Sequence, residues 1–152
     1  MRTKIFILAL TSAFLAACAS APAPRTIVNS FAIDAGYDSV WSALIETFAE
    51  LQLPIDNMEK DSGLVTTDWI EFTGQTNEGY CDCGGLGINI EVNRLGKFNV
   101  FMKKVTEDSC QMTVNCMYEQ TIRFGDTTSR RKCISTGNLE QEMYNLVVSK
   151  LK

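Results

Sequence analysis

Asp38-Ser39-Val40-Trp41-Ser42-Ala43-Leu44-Ile45-Glu46-Thr47-Phe48-Ala49-Glu50-Leu51 places its apolar side chains at three- and four-residue steps, the period that lines one face of an α-helix. Val40, Trp41, Leu44, Ile45, Phe48 and Leu51 share that face, with Ser42, Glu46 and Glu50 largely opposite. Asp38 suits the N-cap, and Pro54 closes the segment because proline cannot continue the helical ladder. A Trp and Phe stripe at this spacing belongs to a core rather than to a cofactor site. A second helix follows Ser135-Thr136-Gly137-Asn138, which offers several N-caps, and aligns Leu139, Met143, Leu146, Val147 and Leu151. Glu140 and Glu142 near its start and Lys150 and Lys152 near its end complement the helix dipole.

Elsewhere the apolar period is two, or the chain turns. Ile27, Val28, Phe31 and Ile33 mark a first strand within Arg25 to Ile33, and Ala35-Gly36-Tyr37 turns into the helix. Ile55 to Glu59 and Leu64 to Phe72 flank Lys60-Asp61-Ser62-Gly63, a tight turn with a left-handed last position. In the second of these strands Trp69 points to one face and Ile70 and Phe72 to the other, so Trp69 and Phe72 are the candidate partner surface. Thr73 to Gly87, rich in glycine, reads as a long loop. Ile88 to Asn93 alternates, Arg94 to Lys97 can turn, and Phe98 to Val105 resumes as strand. After the polar turn Thr106 to Ser109, Cys110, Met112, Val114, Cys116 and Tyr118 share one face of a long strand. Asp126 to Ser129 reads as loop and Arg130-Arg131-Lys132 as a solvated basic cluster. The order strand, helix, strands, helix predicts an α+β fold: an antiparallel sheet of about five to six strands with two helices on one face, since neither helix joins strands that must pair in parallel.

Upstream, Arg2 and Lys4 precede the apolar run Ile5 to Phe14, too short to span a bilayer, and Leu15-Ala16-Ala17-Cys18 follows. These four residues resemble the lipobox of bacterial lipoproteins. The resemblance implies cleavage between Ala17 and Cys18, with Cys18 carrying diacylglycerol on its thiol and an acyl chain on its amine. Residues 1–17 are then a lipoprotein signal peptide, 18–25 a tether containing Ala19-Ser20-Ala21-Pro22-Ala23-Pro24, and 26–152 a single domain. Ala19, where aspartate would favour inner-membrane retention, implies the periplasmic face of the outer membrane. A single short acyl chain anchors only marginally, whereas several anchor stably.

Loss of Arg2 and Lys4 from 14 basic residues leaves 12 against 18 acidic ones, a formal charge of −6. Such a domain is a poor nucleic-acid binder, so the membrane contact is expected through the lipid. The chain has no histidine, which excludes Ser-His and Cys-His catalysis. No catalytic residue, metal site or cofactor is expected, and the protein is read as a non-enzyme.

With Cys18 lipidated, Cys81, Cys83, Cys110, Cys116 and Cys133 remain, an odd number, and export favours disulfides over metal. Cys110 and Cys116 on one strand lie about 20 Å apart and cannot pair. Cys81 and Cys83 sit in a loop that needs fastening, and Cys133 stands just before the last helix. Cys83 with Cys133 is the expected bridge, with Cys81 to Cys110 or Cys116 a secondary pairing.

The order of elements, with Asp38 to Leu44, Asp61-Ser62-Gly63-Leu64-Val65-Thr66-Thr67-Asp68-Trp69 and Ser135-Thr136-Gly137-Asn138-Leu139-Glu140, resembles the BamC-type helix-grip lipoprotein domains of outer-membrane assembly. The resemblance spans nearly the whole mature domain, although this chain has room for one such domain and carries cysteines that the comparison does not explain. It implies an accessory or binding module with an envelope protein partner. A helix gripped by a sheet can also enclose a cavity, so the alternative is a binder of a lipid or other apolar small ligand.

Overall fold

The two longest alternating stretches of the sequence pair with each other and form the spine of the molecule. A computed structural model describes residues 21–72, 79–85 and 91–151. Its elements are β1 (Ser30–Ile33), α1 (Tyr37–Glu50), β2 (Ile55–Glu59), β3 (Leu64–Thr67), β4 (Ile70–Phe72), β5 (Cys81–Asp82), β6 (Glu91–Lys104), β7 (Cys110–Phe124), β8 (Thr127–Ser135) and α2 (Asn138–Ser149). β6 and β7 are antiparallel from Glu91 opposite Arg123 to Lys104 opposite Cys110. The turn between them is closed by Val105 N and Thr106 N donating to Ser109 O, each at 3.0 Å.

At roughly 3.4 Å per residue this hairpin is long enough to serve two neighbours on each edge. β3 and β4 pair with successive parts of β6, while β1 and β8 pair with successive parts of β7. β2 extends the sheet beyond β3 and β5 extends it beyond β8. Among the described residues all pairs are antiparallel, and the fold is α+β with two helices, as expected.

Near the hairpin turn, the inward residues Phe98, Val100, Met102, Cys110, Met112 and Val114 pack against Val40, Leu44 and Phe48 of α1 and Met143 and Val147 of α2. Both helices therefore cover the same face. Lys150 ties them together, reaching Glu50 at 2.6 Å and Glu46 at 3.3 Å. In the far half of the hairpin a smaller core of Cys81, Cys83 and Tyr118 gathers Phe72, Tyr80, Cys116, Cys133 and, from the start of α2, Leu139.

Among the described residues the sheet has eight strands, not five to six, for three local reasons. The strand expected from Leu64 to Phe72 breaks at Asp68-Trp69, where the Asp68 carboxylate accepts the Trp69 amide at 2.7 Å. A two-residue strand, β5, lies within the expected loop. The polar stretch Thr127–Ser135 is a strand in place of the loop expected from Asp126 to Ser129, and in it Arg130 and Lys132 are exposed, as expected of a solvated basic cluster, with Arg131 half-buried.

The turn expected at Arg94 to Lys97 is absent, because Gly96 lets β6 run straight beneath two aromatic rings. A Cβ there would lie 2.8 Å from Tyr118 Cδ1 and collide with the Phe72 ring, so glycine marks a close approach within a strand. Ile88 to Ile90 of the strand expected there lie outside the described residues. The first strand starts only at Ser30, and α1 is capped by Gly36, leaving Asp38 in its first turn. Leu51 is the C-cap and is exposed rather than on the core face. Gln52, at φ 52°, donates to Ala49 O, and Leu53 N donates to Phe48 O at 3.0 Å, closing a Schellman motif that ends the helix before Pro54.

The sheet face away from the helices is mixed in character. Asn29 donates to Asn115 and Asn115 to Asn99, each at 3.0 Å, and Ser30 meets Thr113 at 2.9 Å. Phe101 and Met117 are exposed beside this polar ladder.

Candidate functional site

The far half of the hairpin carries the polar chemistry. Cys81 and Asp82 pair with Ser135 and Ile134, so the next residue, Cys83, comes opposite Cys133. A disulfide joins them across 50 residues of chain, the pair singled out above. Side chains two apart on a strand share a face, and Cys81 Sγ lies 3.8 Å from Cys83 Sγ. All three sulfurs fall within 4.8 Å of one another. Cys81 is outside the disulfide, as are Cys110 and Cys116. Cys81 therefore sits in the bridge cluster and is not disulfide-bonded to Cys110 or Cys116, the secondary pairing expected from the sequence.

Two arginines adjoin these sulfurs. A cavity of about 260 Å³ is lined by Arg25, Cys81, Asp82, Cys83, Arg94 and Thr136. Arg25 pairs with Asp82 at 3.1 Å, and Ala23 N donates to the same carboxylate at 3.3 Å. The Gly84 amide also donates to Asp82, and these contacts hold its carboxyl below the usual range. Arg94 Nε is buried with no hydrogen-bond partner among the described residues. Burial raises the Cys81 thiol, and Arg94 opposes the rise. Arg131 fastens the strand end beyond, donating to Gln120 Oε1 at 2.7 Å and to Gly84 O at 3.1 Å.

A second polar group sits where the two cores meet, and sequence reasoning missed it. Glu140, expected near the solvated start of α2, is fully buried. Ser135 donates to its Oε1 at 2.7 Å and accepts from Gly137 N at 3.1 Å, which links the N-cap residue of α2 to the buried carboxyl. Glu140 Oε2 and the Tyr118 hydroxyl have no hydrogen-bond partner among the described residues. Burial and the neighbouring Glu140 carboxylate push the Cys116 thiol far up, and burial likewise raises Tyr118. Burial alone raises Cys110. Neither thiol is a ready nucleophile. Only the Ser135 to Glu140 spacing in the sequence could have pointed to this group.

The buried carboxyl makes Ser135 a sensitive position. Ser135→Ala removes a donor from a buried acidic group, an exchange that costs about 2 kcal/mol. Urea unfolding followed by circular dichroism is expected to show that loss, and an unchanged midpoint would mean that the hydroxyl does not hold Glu140.

Trp69 and Phe72 do not form one surface. Trp69 is half-buried with Lys97 Nζ 5.4 Å from its ring centre. Phe72 turns inward between Tyr80 and Tyr118, its ring centre 6.1 and 6.0 Å from theirs. Tyr80 in turn donates to Glu142 at 2.6 Å, which, ahead of burial, raises its hydroxyl to about 12. Leu15 to Cys18 lie outside the described residues. Neither a family model nor a curated relative matches the chain.

Proposed function

We propose that the chain is a lipid-anchored lipoprotein on the periplasmic face of the outer membrane, acting as a non-enzymatic binding or accessory module in envelope assembly or maintenance. The observation that carries this reading is Leu15-Ala16-Ala17-Cys18 behind a short basic and apolar leader. Two features support it. A disulfide such as Cys83–Cys133 persists in oxidising compartments. Two helices on one face of an antiparallel sheet are compatible with a helix-grip module of the BamC type.

The anchor also sets an orientation. Ala23 and Arg25 rest on Asp82, and the five steps from Cys18 to Ala23 span at most about 18 Å. The cysteine cavity is thereby held close to the bilayer. The alternative, an apolar ligand between helix and sheet, meets a space occupied by Leu44, Phe48, Met102, Met112 and Met143.

Cys18→Ser tests the anchor. Labelled palmitate incorporation is expected to vanish and the membrane-bound fraction to fall roughly tenfold or more, because the lipid supplies the affinity. A variant that stays membrane-bound would sink the reading.

A further inference from the structure

We propose that Cys81, Cys83 and Cys133 form a thiol–disulfide exchange site in which one bridge moves between two registers, Cys83–Cys133 and Cys81–Cys83. Exchange requires a thiolate in contact with a disulfide sulfur, and Cys81 Sγ is 3.8 Å from Cys83 Sγ. Cys81 gives its proton to solvent and attacks Cys83 Sγ. The Sγ–Sγ bond to Cys133 breaks, and Cys133 leaves as a thiolate that takes up a proton. One S–S bond forms as one is lost, so no external oxidant or reductant is consumed.

The geometry serves the first step. Burial raises the Cys81 thiol, and Arg94, whose guanidinium lines the same cavity, offsets part of that rise in favour of the attacking thiolate. Cys83 is the residue after β5 and is followed by Gly84 at φ 71°, so its backbone lies outside the sheet ladder, and a turn toward Cys81 has to give way only at the Asp82 and Arg131 hydrogen bonds to Gly84. The two registers differ in consequence. Cys81 is buried at 7% exposure whereas Cys133 is half-buried, so exchange moves the thiol from an inaccessible position to one that reagents can reach. It also releases β8 from the segment after β5, turning a fixed staple into a latch next to the tether.

The test uses the full-length mature protein in detergent, held for hours in N-ethylmaleimide at neutral pH, a span that matches uncatalysed disulfide rearrangement. It is then digested without reduction and mapped by mass spectrometry. Label on Cys133 with a Cys81–Cys83 peptide is expected to accumulate, and to be absent from Cys81→Ser. In Cys133→Ser, thiol titration in denaturant is expected to give two groups, Cys110 and Cys116, in place of the four that include Cys81 and Cys83. Label confined to Cys81 in the parent protein, or four thiols in a folded Cys133→Ser, would overturn the proposal. If that variant does not fold, the parent protein decides alone. Stoichiometric zinc or copper with no disulfide peptide would replace exchange by a three-thiolate metal site.

Discussion

The double variant Cys83→Ala/Cys133→Ala is expected to be about 4 kcal/mol less stable than the parent protein, the chain-entropy contribution of a cross-link closing a loop of this length. The bridge spans 50 residues and encloses both long strands of the hairpin. Removing both sulfurs matters, because either single variant leaves Cys81 beside a remaining partner, ready to form a substitute bridge. The loss should be greatest in the far half of the sheet. There the interior is a small aromatic and sulfur cluster to which the helices contribute Leu139 at the start of α2, whereas both helices cover Val100, Met112 and Val114. Hydrogen exchange should therefore show β5 and β8 losing protection before β1 and β3, with urea titration giving the overall cost. A loss below about 1 kcal/mol would mean that the unfolded loop is already constrained and that the entropy argument fails here.

The parts of the fold that were legible in the sequence are those in which burial follows a period. Val40, Trp41, Leu44 and Phe48 in α1, and Cys110, Met112 and Val114 in β7, are buried at their expected steps. β2 is exposed along its whole length, yet it could be placed because the Lys60 to Gly63 turn fixes where its partner begins. β8 was illegible because it has little apolar face to reveal. Its residues toward the core side include Arg131, held by Gln120 and the Gly84 carbonyl, and hydrogen bonding leaves no hydrophobic alternation. Gly96 misled for a related reason: glycine signals a turn by default, and only Phe72 and Tyr118, distant in sequence, make it a strand residue.

The candidate site was half legible. Cysteine counting and the need to fasten the loop singled out Cys83 and Cys133. The approach of Cys81 depends on β5 pairing in one register with β8, and a two-residue strand between glycine-rich segments leaves no periodic signal. Arg94 in the sequence reads as part of a turn, and nothing local points to its place beside the sulfurs. Glu140 was hidden because a glutamate in the first turn of a helix is ordinarily solvated, and the helix dipole accounts for it without burial.

Gly63→Ala is expected to cost about 3 kcal/mol. Gly63 has φ 73°, a left-handed conformation that costs an L-residue about 1–2 kcal/mol. The added Cβ would also collide with the Met102 carbonyl oxygen of β6 and lie 3.2 Å from the Tyr37 hydroxyl, and forcing an atom into occupied space costs about 1–3 kcal/mol more. The backbone has little freedom to yield. Gly63 N donates to Lys60 O at 3.1 Å, its carbonyl accepts Met102 N at 2.8 Å, and the Tyr37 hydroxyl donates to Lys60 O. A shift that relieved the collision would loosen the turn and the first rung between β3 and β6 together. Two substitutions separate the causes. Asparagine tolerates the left-handed region better than alanine but brings the same Cβ, so Gly63→Asn should remain within about 1 kcal/mol of Gly63→Ala if the collision dominates. Recovery of most of the loss by asparagine in urea unfolding would instead assign the cost to backbone conformation, and an alanine variant as stable as the parent would contradict the close approach of this turn to Met102.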